Sequence, residues 1–268
     1  MLSQLRKRKN RRGQPVREST VQHYLSAVSA VLSDAKRNEI IQTNPARMID
    51  LPTTNRMEQH IPTVQEVQRL LQALSMEPRH FRMFYLLAMA TGCRRGELCA
   101  LRWQDIDWEQ RSIHICRSAV KITGDEIFVK EPKTRSGDRY VYFSAQMENL
   151  LREYRRACQY ITTIYDEREL DTNDFLFRRQ GTRLPMTPTT FTWRFKCILK
   201  KNGLPQELNV HSLRHTAASL MIAGGADVAT VAGILGHSQP STTLNIYTHA
   251  FDKNKKAASA GLQGMLEI

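Results

Sequence analysis

Strand-like alternation is confined to one short window of this chain, and that confinement limits the folds open to it. Ile113 and Ile115, Ile127 and Val129, and Tyr140, Val141 and Phe143 mark runs with the period-two pattern of half-buried strands. On both sides of the window apolar residues recur at helical spacing instead. The expected class is therefore α+β, mostly α, with helices around a small antiparallel sheet. Residues 131–139 contain Pro132 and Gly137 and read as a turn between strand-like runs at 127–130 and 140–143.

The helical part divides in two. Ser19 or Thr20 is placed to cap a helix carrying Tyr24, Val28, Val31, Leu32 and Ala35, which ends before Asn44-Pro45 and is followed by a short helical turn to Ile49. Residues 51–62 are polar, hold two prolines and lack periodicity, so they read as a linker. Thr63-Val64-Gln65-Glu66 then has the form of a capping box, opening a helix to about Leu74. Later helices are expected over residues 84–90, 145–164, 187–201, 211–223, 228–235, 241–248 and 253–266. This gives a basic arm and helical piece at 1–50, a linker at 51–62 and a large domain at 63–268.

Charge points to a polyanionic partner. Of 268 residues, 39 are Lys or Arg and 26 are Asp or Glu, a net charge of +13, enough for a positive face that gathers phosphates and releases counterions. The densest run is Arg6, Lys7, Arg8, Lys9, Arg11 and Arg12, which reads as a flexible arm and a candidate DNA contact. The five cysteines are odd in number, widely spaced and form no C-x-x-C pair, so neither a disulfide framework nor a zinc knuckle is indicated, and a reduced cytoplasm fits. No apolar run approaches the length of a membrane span.

The chemistry-bearing residues fall into boxes. His211-Ser212-Leu213-Arg214-His215 places His211 and Arg214 three apart, on one helix face. Leu235-Gly236-His237 and Tyr247-Thr248-His249 follow. Upstream, Thr91-Gly92 ends an apolar helix, and Arg94 or its neighbour Arg95 opens the next one, where backbone N–H groups favour an anion. A guanidinium fork matches two phosphate oxygens at once. Lys133, with Arg135 as competitor, is a candidate proton donor, and Glu97 reads as a buried orienter. Asp105 and Asp107 admit a metal-nuclease reading but more simply form a polar turn before a strand.

Taken together, Arg94 in TGCRRGEL, Lys133 in EPKTRSG, His211 and Arg214 in HSLRH, His237 in LGH and Tyr247 in YTH resemble the catalytic set of the tyrosine recombinases, the phage-integrase family. The resemblance covers roughly residues 17–268. It implies that Tyr247 attacks a DNA phosphodiester to leave a 3′-phosphotyrosine and a free 5′-hydroxyl. Arg94 and Arg214 hold the non-bridging oxygens, His211 is the general base or a proton shuttle, Lys133 protonates the leaving oxygen and His237 donates to the phosphate. It implies no nucleotide cofactor and no divalent metal. The partners it implies are double-stranded DNA, further copies of the chain in a synaptic tetramer, and DNA-bending or excisionase accessory proteins. The piece from Val16 to Ile49 resembles only the last part of the family's core-binding domain. A topoisomerase-like relaxer and a DNA-binding remnant are the alternatives.

Overall fold

A computed structural model describes residues 2–9, 13–49, 62–122, 126–132, 135–239, 241 and 243. The chain forms two compact units, Met1–Glu58 and Gln59–Ile268.

The smaller unit holds α1 (Leu2–Lys7), α2 (Glu18–Arg37) and a 3₁₀ turn over Pro45–Met48. Asn44 organises the turn: its amide donates to the Ser29 carbonyl at 2.9 Å and to Ser33 Oγ at 2.8 Å, while its Oδ1 accepts from the Ala46 N–H at 3.0 Å. The basic run departs from a flexible arm. Arg6 and Lys7 end α1, Arg6 Nε donates to Glu18 Oε1 at 2.8 Å, and Lys9 bridges Pro15 through the backbone. A local acidic partner thus orders part of the run. Arg8 donates its N–H to Leu5, whereas Arg11 and Arg12 lie outside the described residues. The long helix starts one residue before Ser19 and stops at Arg37, with Arg17 rather than Ser19 or Thr20 at its N-cap.

The larger unit opens on α3 (Val64–Ser75), whose capping box forms: Thr63 Oγ1 accepts from the Glu66 N–H at 3.2 Å, and Glu66 accepts from the Thr63 N–H at 2.7 Å. Next comes α4 (Arg79–Thr91), which buries Met83, Phe84, Tyr85, Leu87 and Ala88. Phe84 stacks on Phe191 of α7 (Pro188–Lys201), with ring centroids 3.7 Å apart, and the Tyr85 hydroxyl donates to the Phe191 carbonyl at 2.7 Å. Around α4 pack α3, α5 (Arg95–Cys99), α6 (Ala145–Asp166) and α8 (Val210–Ala223), and α9 (Val228–Leu235) packs against α8. A smaller apolar cluster of Ala218, Ile222, Val231 and Leu235 joins α8 to α9.

Two antiparallel sheets form instead of one. The first has the order β1 (Ile106–Asp107), β2 (Ser112–Ile115), β5 (Arg139–Tyr142); the second pairs β3 (Ser118–Lys121) with β4 (Ile127–Lys130). Residues 131–139 are therefore not the turn of a hairpin between paired strands. They connect β4, bonded to β3, with β5, bonded to β2. The Ser118–Lys121 strand hid the true partner of β4, because Ser-Ala-Val-Lys sets its two apolar residues side by side and leaves no alternation to read.

Glycine at 92 is set by conformation and by crowding. It caps α4 at φ +64°, and a Cβ there would lie 2.7 Å from Leu235 Cδ2. Gly92→Ala combines the left-handed backbone penalty with a clash, for an expected loss of about 1–3 kcal/mol in chemical unfolding. An unchanged midpoint would show that α9 yields without cost.

Candidate active site

The site is assembled where α4, α5, α8, α9 and β5 meet. Arg94 is the N-cap of α5, a helix of only five residues. That helix start does not wait for an external anion, because Glu97 already occupies it: its Oε2 accepts the Arg94 N–H at 2.8 Å. The anion-binding capacity lies in the guanidinium. Arg94 Nη1 donates to Glu97 Oε1 at 2.9 Å and Nη2 to the Gly236 carbonyl at 2.8 Å, which fixes its plane while the side chain stays 43% exposed. Arg95 donates to Thr192 on α7, so of the two adjacent arginines Arg94 is the one on the cleft.

Asn209 caps α8, accepting from the N–H groups of His211 and Ser212 at 2.8 and 3.1 Å. This cap sets the register that brings His211 and Arg214 to one side of the helix. Arg214 is buried at 2% exposure and donates to the Gly92 carbonyl at 2.9 Å and the Leu235 carbonyl at 2.6 Å. Burial and the charge of Arg94 bring it down to about 10, which leaves it a cation at neutral pH. His211 packs edge-on to His215, with ring centroids 4.7 Å apart. Burial, Arg214 and Arg94 hold His211 below the usual imidazole range. His237 follows the left-handed cap Gly236 and meets Thr243 Oγ1 through Nδ1 at 2.7 Å. Burial, then the charges of Arg214 and Arg94, lower it to about 4. Both rings are neutral at pH 7, able to take a proton or donate a hydrogen bond without adding a full charge.

Glu97 reconciles the cations. Burial alone would raise its carboxyl, but hydrogen bonds from Arg139 and Arg94 and the charge of Arg139 outweigh this and hold it below the usual range. The cleft is lined by Arg94, Glu97, Lys130, Pro132, Ser136 and Gly236. The connection that carries Lys133 thus flanks the same cleft as Arg94, although Lys133 itself lies outside the described residues. Arg135 starts a 3₁₀ turn over Arg135–Gly137. Tyr247 also lies outside the described residues. The charge of Arg94 lowers Arg214, and both arginines lower His211 and His237, so these four form one electrostatic unit.

One residue of the site escaped the sequence reading. Arg139 fell there at the end of the 131–139 turn with no role of its own, yet its side chain is 7% exposed and paired with Glu97. The signal was present: residues 139, 141 and 143 share a strand face, and Val141 and Phe143 point inward. Asp105 and Asp107 do not form a metal site. Asp105 is buried, accepting the Arg102 N–H and pairing with Arg117, while Asp107 accepts the N–H groups of Glu109 and Gln110. Among the described residues no cluster of metal-ligating side chains occurs, and no helix is long and apolar enough to cross a membrane.

This arrangement of helices and small antiparallel sheets is the fold of a DNA integrase catalytic domain. The Tn1549 transposon integrase, solved with transposon right end DNA, superposes with a TM-score of 0.77 at 23% identity, covering 92% of this chain and 80% of that one. Residues 62–254 match the phage integrase family, and the chain belongs to it. Relatives include the ICEBs1 integrase of Bacillus subtilis, 25% identical over 92% of this chain and 66% of that protein. A XerC-like tyrosine recombinase of Caldanaerobacter subterraneus is 30% identical over 72% of this chain and 51% of its own length. The chain thus spans about one half to two thirds of the length of these two relatives.

Proposed function

We propose that this chain is a site-specific DNA recombinase of the tyrosine type, cutting and rejoining DNA to integrate or excise a mobile element. The observation that carries the reading is the clustering of Arg94, which lines the cleft, with Arg214 and two neutral imidazoles that feel its charge. Transfer at phosphorus needs positioning and charge stabilisation above all, and this cluster supplies both.

In the proposed step, the Tyr247 oxygen attacks phosphorus, the P–O5′ bond breaks, and the 3′-phosphate remains on the tyrosine. His211 takes the phenol proton. Lys133, or Arg135 on the same connection, gives a proton to the departing 5′-oxygen. Arg94 and Arg214 stabilise the charge on the non-bridging oxygens, and His237 donates to one of them. Attack by the 5′-hydroxyl of a partner strand reverses the step and restores the phosphodiester, so the bond energy is conserved without a nucleotide cofactor. Strand exchange calls for a synaptic tetramer on two duplexes, with DNA-bending or excisionase proteins as accessories. The basic segment holding Arg6, Lys7, Arg8, Lys9, Arg11 and Arg12, within a partial core-binding domain at residues 1–50, adds phosphate contacts.

Incubating the chain with fragmented host DNA in chelator, followed by denaturation and sequencing of protein-linked fragments, tests this reading. A shared cleavage sequence should emerge, and two marked duplexes carrying it should become joined. Recovery of DNA only under native conditions would reduce the chain to a binding protein. Plasmid relaxation without joining would instead favour a topoisomerase-like activity.

A further inference from the structure

Arg139 has no part in the step just described, yet it is a charged side chain only 7% exposed. It starts β5 opposite Ile115 of β2. A buried guanidinium must find partners for its charge and donors, and every one it finds belongs to the site. Nη2 donates to Glu97 Oε2 at 2.9 Å and Nη1 to Oε1 at 3.4 Å. Nε donates to the Ile234 carbonyl at 2.6 Å, Nη1 reaches the Gly137 carbonyl at 3.4 Å, and Nη2 lies 3.7 Å from Cys93 Sγ.

Two patterns emerge from these contacts. First, Glu97 is shared: the carboxylate that accepts from Arg139 also accepts the backbone and side-chain N–H of Arg94. Second, three consecutive carbonyls at the end of α9 are divided among three arginines. Ile234 accepts from Arg139, Leu235 from Arg214 and Gly236 from Arg94. His237 comes next in the chain. The negative end of the helix dipole therefore faces all three cations. The packing leaves no slack, since a Cβ on Gly236, itself at φ +67°, would lie 2.8 Å from both Arg139 Nη1 and the Ser136 carbonyl.

We propose that Arg139 is a positioning residue for the phosphate clamp, holding Glu97 and the end of α9 so that Arg94 and His237 face the scissile phosphate. The proposal rests on the reading of the cleft as a phosphodiester site. Arg139 is too buried to meet DNA and acts through its neighbours. Without it, both Glu97 oxygens are left to Arg94 alone, which draws the fork away from the cleft. The Ile234 carbonyl loses its donor at the same time, loosening the turn that leads into His237.

The test compares Arg139→Gln and Arg139→Lys with wild type in the full chain, on a duplex carrying the cleavage sequence recovered as above. In single turnover at saturating DNA, Arg139→Gln should slow cleavage about 10- to 100-fold with DNA affinity little changed. Arg139→Lys should recover part of the rate. The discriminating substrate is a methylphosphonate at the scissile position, in which a methyl replaces one non-bridging oxygen and removes the charge the clamp serves. There the ratio of wild-type to variant rate should collapse toward one. Equal losses on both substrates would make Arg139 merely structural, and a folded Arg139→Gln protein cleaving at the wild-type rate would also overturn the proposal. If Arg139→Gln does not fold, the double variant Glu97→Gln/Arg139→Gln, which removes both halves of the buried Arg139–Glu97 pair, is subjected to the same comparison. Failure of wild type itself to form a covalent adduct would remove the underlying reading and is seen before any Arg139 variant is made.

Discussion

Tyr247→Phe should abolish the covalent protein–DNA adduct on a nicked duplex while leaving non-covalent binding nearly intact. The substitution removes one oxygen and keeps the ring, so whatever packing the aromatic side chain makes is largely retained. A phenol is a weak nucleophile at its ordinary pKa near ~10 and needs a base or neighbouring cations to act at neutral pH. The described part of the site offers both: two neutral imidazoles, at His211 and His237, and the guanidiniums of Arg94 and Arg214. Denaturing gels of wild type and variant on the same substrate give the comparison. Adduct formation by the phenylalanine variant would refute the nucleophile assignment.

Arg214→Lys is expected to have the next largest effect. Lysine preserves the charge but not the planar fork, and the fork is what spans Gly92 at the end of α4 and Leu235 at the end of α9. A buried ammonium satisfies one of these carbonyls at most in the same geometry. Loss of one well-placed donor to a developing oxyanion typically slows the chemical step about 10²–10³-fold. Single-turnover cleavage should fall by that order while DNA binding, dominated by the many other cations, changes little. A second consequence is thermodynamic: the carbonyl left without a donor costs about 1–3 kcal/mol, to be read as a lower unfolding midpoint. Wild-type cleavage by a stably folded Arg214→Lys protein would remove the fork from the mechanism.

Much of this site was legible because its chemistry is local. His211 and Arg214 are three residues apart in a strongly helical segment, so a shared face followed from spacing alone, and Asn209 then fixed where the helix starts. Glu97 was read as an orienter, in keeping with its place in a short turn of helix beside Arg94. What escaped depends on long-range pairing. The β4–β5 hairpin was expected because both runs alternate and a Pro/Gly turn lies between them; the actual partner of β4 is a four-residue strand, Ser-Ala-Val-Lys, with no alternation to announce it. Arg139 was overlooked for a related reason. A charged residue within a basic run reads as surface unless its strand phase is followed, and only the fold brings Glu97, 42 positions away, to meet it. The basic N-terminal run likewise looked disordered until Glu18 was found opposite Arg6.

The central claim is that phosphodiester cleavage passes through a covalent bond to Tyr247. Digestion of the trapped adduct to peptides, with mass spectrometry of the nucleotide-bearing one, addresses it directly. The account predicts a nucleotide joined through its 3′-phosphate to the Tyr247 side chain, with a 5′-hydroxyl on the released strand. A nucleotide on any other residue, or a linkage through a 5′-phosphate, would contradict it.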